Sequence, residues 1–213
     1  MKNKVLVIGA DHHNTLGIVE SLGQKGLNSY VLIVGENINS FVLKSRYVIE
    51  GWVCSLPEQV VDEMLKHFSD TKNKAIVYSS YDNVSSVLDS SVQRLSPFFI
   101  LPVTNMPGSL ERKMSKEYMS DLAREVGLDV PRTWMVSDGE VPADIEFPCI
   151  TKAISSVEGS KKNIKICKRR EELEEFLANS EHCPIIQIQK FIIKDFEFQF
   201  LGCSMDNGKH TGF

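Results

Sequence analysis

The chain has 213 residues and a formal net charge of −4, with 24 lysines and arginines against 28 aspartates and glutamates. This length holds one large domain or two small ones with real hydrophobic cores. The acidic balance excludes a general attraction to nucleic acids or to anionic lipids, so neither is expected as a partner. No apolar run approaches the roughly 20 residues that a membrane-spanning helix needs, so no membrane association is expected either.

The five cysteines are scattered along the chain and show neither a CxxC pair nor the spacing of zinc ligands: Cys54, Cys149, Cys167, Cys183 and Cys203. An odd number of cysteines without a signal peptide indicates free thiols in a reducing compartment, so the protein is expected in the cytoplasm. Three of them, Cys54, Cys149 and Cys167, lie in apolar runs. That position favours packing in a core over nucleophilic catalysis.

Strand-like and helix-like segments alternate through the first hundred residues. The first strand-like segment, Val5 to Ile8, is a continuous apolar run, as expected of a parallel strand covered on both faces. Strands are predicted at 5–8, 30–34, 75–78 and 98–101, and helices around 16–22, 57–68 and 84–95, with a less regular stretch between the second strand and Pro57. This alternation predicts an α/β fold with a doubly wound parallel sheet and right-handed crossovers.

The first turn, Gly9 to Gly17, invites comparison with dinucleotide-binding sites. A Rossmann fingerprint needs glycine at its first, third and sixth positions, so that the backbone can approach a pyrophosphate. Here those positions hold Gly9, Asp11 and Asn14. A dinucleotide-dependent oxidoreductase is therefore kept only as the weaker alternative.

Three polar residues near the predicted carboxyl ends of strands are candidates for ligand contact. His12 and His13 follow the first strand and either contact a substrate or are solvated loop residues, the second interpretation being favoured. Asp82 follows the third strand, at the edge where open α/β sheets bind ligands. A helix N-cap is the favoured alternative for Asp82.

Two lysines occur in the second half of the chain in positions that suit a polyphosphate. Lys116 opens a helical run that ends at Gly127, where a left-handed C-cap belongs. Lys152 ends a strand-like run, and a Gly/Ser loop follows it from Ser155 to Lys161. Further strands are predicted at 133–136, 163–167 and 184–189, and a helix at 171–177.

Six of the ten residues from Lys161 to Arg170 are basic. They form either a solvated strand face or an electrostatic cover for a triphosphate, and the sequence leaves both open. Nucleic-acid binding is disfavoured, because no aromatic residues alternate with these charges.

The order of these segments resembles the ATP-grasp superfamily, and within it the carbamoyl-phosphate-synthase-like carboxylate–amine ligases. Members show Asp-Lys, a helix, Gly-Ile-x-Val-Pro-x-Thr, then Tyr-Pro-x-Ile-x-Lys-Pro and a Gly/Ser loop. Lys116 matches the first lysine and Lys152 the second. The positions that follow the loop are Ser155, Ser156, Gly159, Ser160 and Lys161. The sequence departs from the pattern at Ser115, which replaces an aspartate, at Ala153, which replaces a proline, and in a loop with one glycine.

The resemblance also implies how ATP is held. Lys116 and Lys152 would hold the α- and β-phosphates, and the Ser155–Lys161 loop would cover the γ-phosphate. The backbone and first side chain of Gln189, Lys190 and Phe191 would recognise the adenine. Glu197 matches a glutamate that contacts the ribose. Alternatively, Glu197 is a solvent-exposed residue of a strand that carries Phe196, Phe198 and Phe200 on its opposite face.

The resemblance implies three parts: a Rossmann-like pre-ATP-grasp domain (1–107), an ATP-grasp lid subdomain (108–190) and the start of a truncated C-terminal subdomain (191–213). In the family, the acidic and asparagine ligands of Mg²⁺ come after the position of Glu197. The residues of suitable type there are Asp206 and Asn207, which are better interpreted as a hairpin turn, so no metal ligand is predicted within the chain. The Mg²⁺ that accompanies ATP is therefore expected to be held by residues outside it.

The reaction implied by the resemblance has two steps. A carboxylate attacks the γ-phosphate of Mg·ATP to give an acyl phosphate, which an amine or similar nucleophile then captures. The chain by itself is expected to be inactive. The alternative is a non-catalytic nucleotide-binding or interaction module. The alternating phenylalanines near the end predict an exposed aromatic surface, and with it either a homodimer formed through residues 184–204 or disorder of about the last dozen residues.

Overall fold

The computed structural model describes residues 3–103, 106–137, 141–153, 164–179, 185–199, 202–205 and 209–212. These residues form two compact units, of which the first ends at Leu128 and the second begins at Asp129. Within the described ranges, no helix is both long and apolar enough to cross a bilayer.

A five-stranded parallel sheet is the centre of the first unit. Its strands are β1 (Val5–Ala10), β2 (Ser29–Val34), β3 (Val48–Cys54), β4 (Ala75–Ser79) and β5 (Phe99–Ile100). The strand order is β3-β2-β1-β4-β5, and every neighbouring pair is parallel. The helices are α1 (His13–Gln24), α2 (Val60–His67), α3 (Asp82–Ser90), α4 (Val92–Leu95), α5 (Ser109–Met114) and α6 (Lys116–Glu125). The predicted doubly wound α/β fold is confirmed.

The central strand β1 is buried on both faces. Leu6 and Ile8 belong to one core, which α2 and α3 complete. Val5 and Val7 belong to a second core, together with Val19 of α1. Successive side chains of a strand point to opposite faces, so a strand buried on both faces must be apolar throughout. This requirement explains the continuous apolar run that marked β1 in the sequence.

The edge strand β3 was missed, and the prediction of a less regular stretch there was wrong. Its first half lacks an apolar signature, since Ile49 is 54% exposed and Glu50 is exposed as well. The strand is secured by Trp52, whose ring lies 6.0 Å from that of Tyr30 and 4.0 Å from that of His67, measured between centroids. An edge strand with one paired side needs fewer apolar residues than a central one, so periodicity did not reveal it.

Two glycines of α1 provide a matched test of its packing. A Cβ on Gly23 would lie 2.1 Å from Cγ of Tyr47, whereas a Cβ on Gly17 would meet nothing within 4 Å. Alanine has the higher helix propensity, so Gly17→Ala is expected to raise the free energy of unfolding by about 0.5–1 kcal/mol. Gly23→Ala is expected to lower it by about 1–3 kcal/mol, because the Tyr47 ring must move. Urea unfolding followed by Trp52 fluorescence in a Trp134→Phe background measures both, and a stabilising Gly23→Ala would show that Tyr47 does not pack there.

The second unit is a four-stranded antiparallel sheet covered on one face by a helix. Its elements are β6 (Thr133–Ser137), β7 (Cys149–Ala153), β8 (Ile166–Cys167), α7 (Arg170–Ala178) and β9 (Ile185–Lys190). The strand order is β6-β9-β7-β8, with every pair antiparallel. Its core contains Trp134, Val136, Ile145, Cys149, Cys167, Leu173, Ile186 and Ile188. The predicted small α+β unit is confirmed.

Three cysteines are free thiols buried in the cores, as their apolar surroundings predicted: Cys54, Cys149 and Cys167. Cys149 and Cys167 are directly opposite one another on β7 and β8. Burial raises the pKa of Cys149 to about 11 and also raises the pKa of Cys167. Both thiols are therefore protonated at neutral pH, which is unfavourable for a nucleophile.

The segment after β9 differs from the prediction. Residues 191–199 form no strand, although the alternating Phe196 and Phe198 had predicted one. The two rings instead contact each other, with centroids 6.1 Å apart, and they are 77% and 71% exposed. The predicted hairpin further along is present, since β10 (Cys203–Met205) and β11 (His210–Gly212) pair in antiparallel fashion. Asp206 and Asn207, which were predicted to form its turn, lie outside the described residues, as does Phe200.

The exposed pair Phe196 and Phe198 leads us to predict self-association through this segment. Burying one phenylalanine is worth roughly 1.5–3 kcal/mol, so two exposed rings favour cover by a second copy of the chain. Phe198→Asp is expected to shift the mass measured by light scattering toward that of the monomer. Ile38→Asp is the control, because Ile38 is 79% exposed but belongs to the first unit. A dimer that resists Phe198→Asp would place the association on another surface.

Candidate nucleotide-binding face

One face of the four-stranded sheet is not covered by α7, and we call it the outer face. It carries every second residue of the strands: Thr133, Met135 and Ser137 of β6, Ile150 and Lys152 of β7, Ile166 of β8, and Ile185, Gln187 and Gln189 of β9. Their neighbours along the strands point inward and form the core. Met135 and Ile166 are 42% and 45% exposed, so the outer face presents apolar as well as polar surface.

Lys152 lies near the middle of the outer face. The strand register places it directly opposite Gln187, which is almost completely buried, and diagonally across from Gln189. The Nζ atom of Lys152 donates a hydrogen bond of 2.7 Å to Oε1 of Gln189. Two residues that the resemblance assigned to ATP, 37 positions apart in the sequence, are therefore in direct contact.

The contact continues onto the next strand through the amide of Gln189. Its Nε2 atom donates to Oγ1 of Thr133 at 3.2 Å, and the Thr133 hydroxyl donates to the carbonyl oxygen of Pro131 at 2.9 Å. A lysine ammonium can only donate, so Oε1 must face Lys152 and Nε2 must face Thr133. The three strands β7, β9 and β6 are thus joined across the outer face by one directional series of hydrogen bonds.

At the end of β9, Lys190 and Phe191 use their backbone N–H groups within the unit. The N–H of Lys190 donates to the carbonyl of Arg132, and that of Phe191 to the carbonyl of Pro148, both at 2.9 Å. The Lys190 ammonium lies 2.6 Å from Oε2 of Glu146. The hydrogen bond from Lys190 is the main reason that the pKa of Glu146 is lowered, with Arg132 adding to the effect.

Glu197 lies in the irregular segment after β9 and is largely exposed. Its Oε2 atom is 2.5 Å from Nζ of Lys194, and this hydrogen bond lowers the pKa of the carboxyl group. The structure therefore gives Glu197 a local ion pair on an exposed segment. The loop positions Ser155, Ser156, Gly159, Ser160 and Lys161 lie outside the described residues.

Lys116 belongs to the first unit, where it is the first residue of α6. Ser115 is the N-cap of this helix, and its hydroxyl accepts a hydrogen bond of 3.1 Å from the N–H of Tyr118. Serine and aspartate are comparable N-caps, so the departure from the family's Asp-Lys keeps the helix start intact. Burial lowers the pKa of Lys116. Gly127 has φ +80°, as the predicted left-handed C-cap requires.

The candidates after β1 and β4 have local structural partners. His12 is the N-cap of α1, and its Nδ1 atom accepts a hydrogen bond of 3.3 Å from the N–H of Asn14. His13 is exposed, and its ring lies 3.8 Å from that of His12. Asp82 is the first residue of α3 and not its N-cap, which is Tyr81, so the predicted capping role was wrong.

No group of three histidine, cysteine or acidic side chains that could hold a metal ion occurs among the residues that the structure describes.

Three residues of this region were not singled out in the sequence: Thr133, Glu146 and Gln187. Thr133 stands at the threonine of the family's Pro-x-Thr motif, which was the available signal for it. Gln187 and Glu146 carried no signal. The position of Gln187 depends on the pairing of β9 with β7, and that of Glu146 on the end of the loop before β7.

Comparison with known proteins found no matching family model and no matching curated protein. Solved structures do match. The L-amino acid ligase from Bacillus licheniformis is 16% identical with a TM-score of 0.65, over 90% of this chain and 45% of that one. N5-carboxyaminoimidazole synthase from Aspergillus clavatus, in complex with ADP and 5-aminoimidazole ribonucleotide, is 12% identical with a TM-score of 0.61, over 90% and 47%.

D-alanine–D-alanine ligase from Bacillus anthracis, complexed with ATP, is 14% identical with a TM-score of 0.53, over 90% of this chain and 59% of that one. The chain thus spans about half of the length of these neighbours. All three are ATP-grasp ligases. The 213-residue chain therefore has the fold of the N-terminal part of the ATP-grasp ligases.

Proposed function

We propose that the chain is the ATP-binding portion of an ATP-dependent ligase of the carboxylate–amine type, acting through an acyl phosphate. The observation that carries the proposal is the placement of Lys152 and Gln189 side by side on the outer face, with a bond of 2.7 Å between them. The fold shared with ATP-grasp ligases supports it. We propose ATP and Mg²⁺ as cofactors and a carboxylate and an amine as substrates.

The chemistry of the outer face suits an adenine nucleotide. The Lys152 ammonium supplies a positive charge for a phosphate oxygen. Ile150 and Ile166, directly opposite one another on β7 and β8, supply apolar surface for a purine ring, and Met135 lies on the same face two strands from Ile150. Since the N–H groups of Lys190 and Phe191 already bond within the unit, we propose that the base meets carbonyl oxygens and the Phe191 side chain there.

The remaining assignments rest on the sequence resemblance. Lys116 and the Ser155–Lys161 loop are proposed to contact the phosphates, and Glu197 the ribose, after giving up its bond to Lys194. Metal ions in phosphoryl transfer bridge the phosphates and neutralise the charge that develops on the leaving group. We propose that the ligands of Mg²⁺ lie outside this chain and that the chain by itself does not release ADP. The three parts given above, 1–107, 108–190 and 191–213, are also retained as proposals.

Calorimetry with ATP and with NAD tests the proposal. We expect the purified chain to bind ATP with one-to-one stoichiometry and to show no heat of binding with NAD. Binding of NAD in preference to ATP would support the oxidoreductase alternative. Absence of binding to either nucleotide would contradict the proposed function.

A non-catalytic nucleotide-binding or interaction module is the second candidate. The exposed Phe196 and Phe198 favour it, because they offer a surface for a second copy of the chain. Both candidates predict binding of ATP. They differ in whether a longer protein containing this chain releases ADP when a carboxylate and an amine are added. The three buried free thiols agree with a cytoplasmic location, which we also propose.

A further inference from the structure

Gln189 is the residue for which the structure and the sequence resemblance suggest different roles. The resemblance assigns its side chain to the adenine base. We propose instead that Gln189 is a positioning residue, which holds the Lys152 ammonium in place for a phosphate group of the nucleotide. This inference rests on the proposed function, because it takes a nucleotide as the ligand of the outer face.

The orientation of the Gln189 amide is determined from both ends. At one end the ammonium of Lys152 can only donate, so it requires the oxygen Oε1. At the other end the Thr133 hydroxyl uses its hydrogen in a bond to the Pro131 carbonyl and therefore accepts from Nε2. Turning the amide by 180° would bring Nε2 against an ammonium and lose both hydrogen bonds.

The fixed amide of Gln189 restricts the rotamers of the Lys152 side chain. A free lysine side chain has many rotamers and loses them when it binds an anion. The bond to Oε1 of Gln189 already selects one position for Nζ, and Gln187 lies directly opposite Lys152 on the neighbouring strand β9. Part of the ordering needed for phosphate binding is thereby completed before the nucleotide arrives.

The chemical type of residue 189 also fits this role. An amide oxygen accepts a hydrogen bond from the ammonium without adding a negative charge next to it. A glutamate, which the family carries at this position, would place a carboxylate beside Lys152 and would repel the nearby phosphates. Glutamine therefore holds the lysine while leaving the charge of this contact positive.

A double-mutant cycle on ATP affinity tests the inference. The variants are Gln189→Met, which keeps the side-chain length but has no acceptor, Lys152→Met, and the two combined. We expect Gln189→Met to weaken ATP binding by about three- to tenfold, as for the loss of one hydrogen bond. In the Lys152→Met background, the same change is expected to have no further effect, because the residue it positions is gone.

Two further measurements separate positioning from recognition of the base. If Gln189 acts through Lys152, Gln189→Met weakens ATP and GTP binding by the same factor. Thr133→Val, which removes the acceptor for Nε2, is expected to reproduce part of the loss of ATP affinity. Thr133→Ser, which keeps the hydroxyl, is expected to bind ATP with the affinity of the wild type. Circular dichroism is used to show that each variant is folded.

Additive effects of Gln189→Met and Lys152→Met, or a loss confined to ATP while GTP binding is unchanged, would overturn the inference and leave ATP binding itself intact. A wild-type chain that binds no ATP would instead overturn the proposed function, and the role of Gln189 with it. The cycle with ATP distinguishes these two failures, since only the first is seen in a protein that binds the nucleotide.

Discussion

Replacement of Lys152 by alanine is expected to weaken ATP binding by roughly 1.5–3 kcal/mol, or about ten- to 150-fold, as for a hydrogen bond to a charged group. The Lys152 side chain is partly shielded on the outer face, where its Nζ atom bonds to Gln189. An ammonium held in this way meets a phosphate with less competition from water than one on a fully exposed surface. Calorimetric titration with ATP measures the loss.

Lys168→Ala is the matched control for this prediction. Lys168 belongs to the same basic run and to the same unit, but it lies exposed in the turn between β8 and α7, beyond the outer face. Its replacement removes the same charge from the protein and is expected to change ATP affinity by less than about twofold, the size of a screened surface effect. Equal losses at the two positions would indicate a general electrostatic attraction, and no loss at either would exclude Lys152 from the site.

Much of the fold could be predicted because its strongest signals are local. The apolar run at Val5–Ile8 and the helical stripe of Val60, Val61 and Met64 follow from burial, and the structure buries these residues as expected. Strand β3 could not be predicted, because its stability comes from pairing with β2 and from the contacts of Trp52. For the segment with Phe196 and Phe198 the error was the opposite one, because a strand was predicted and none forms. Alternation of side chains alone does not make a strand without a neighbouring strand to pair with.

The candidate site was accessible from the sequence only through the resemblance. It assigned Lys152 and Gln189 to one ligand, and the structure places them in contact. Their orientation could not be predicted, because it depends on Thr133, which is 56 positions from Gln189 and reaches it only through the pairing of β6 with β9. Register between distant strands is a tertiary property, and a single residue of slip would move Gln189 to the other face.

The second prediction with a large effect concerns stability and a buried residue of strand β9. Ile188, directly before Gln189, is fully buried between Trp134 and Thr151 on the neighbouring strands. Ile188→Ala is expected to lower the free energy of unfolding of the second unit by about 2–5 kcal/mol, because it removes buried methyl groups and leaves a cavity. Ile185, in the same strand, is 42% exposed, and Ile185→Ala is expected to cost less than about 1 kcal/mol.

The two tryptophans allow this loss to be assigned to one unit, since Trp52 belongs to the first and Trp134 to the second. In a Trp52→Phe background, fluorescence reports only the surroundings of Trp134, so a denaturant titration gives the stability of the second unit. Ile188→Ala and Ile185→Ala are compared in that background, where the lost intrinsic strand preference is the same for both. Equal shifts of the unfolding midpoint would show that Ile188 is not in the core, and the face assigned to Gln189 would then be wrong as well, since neighbouring residues of a strand point to opposite faces.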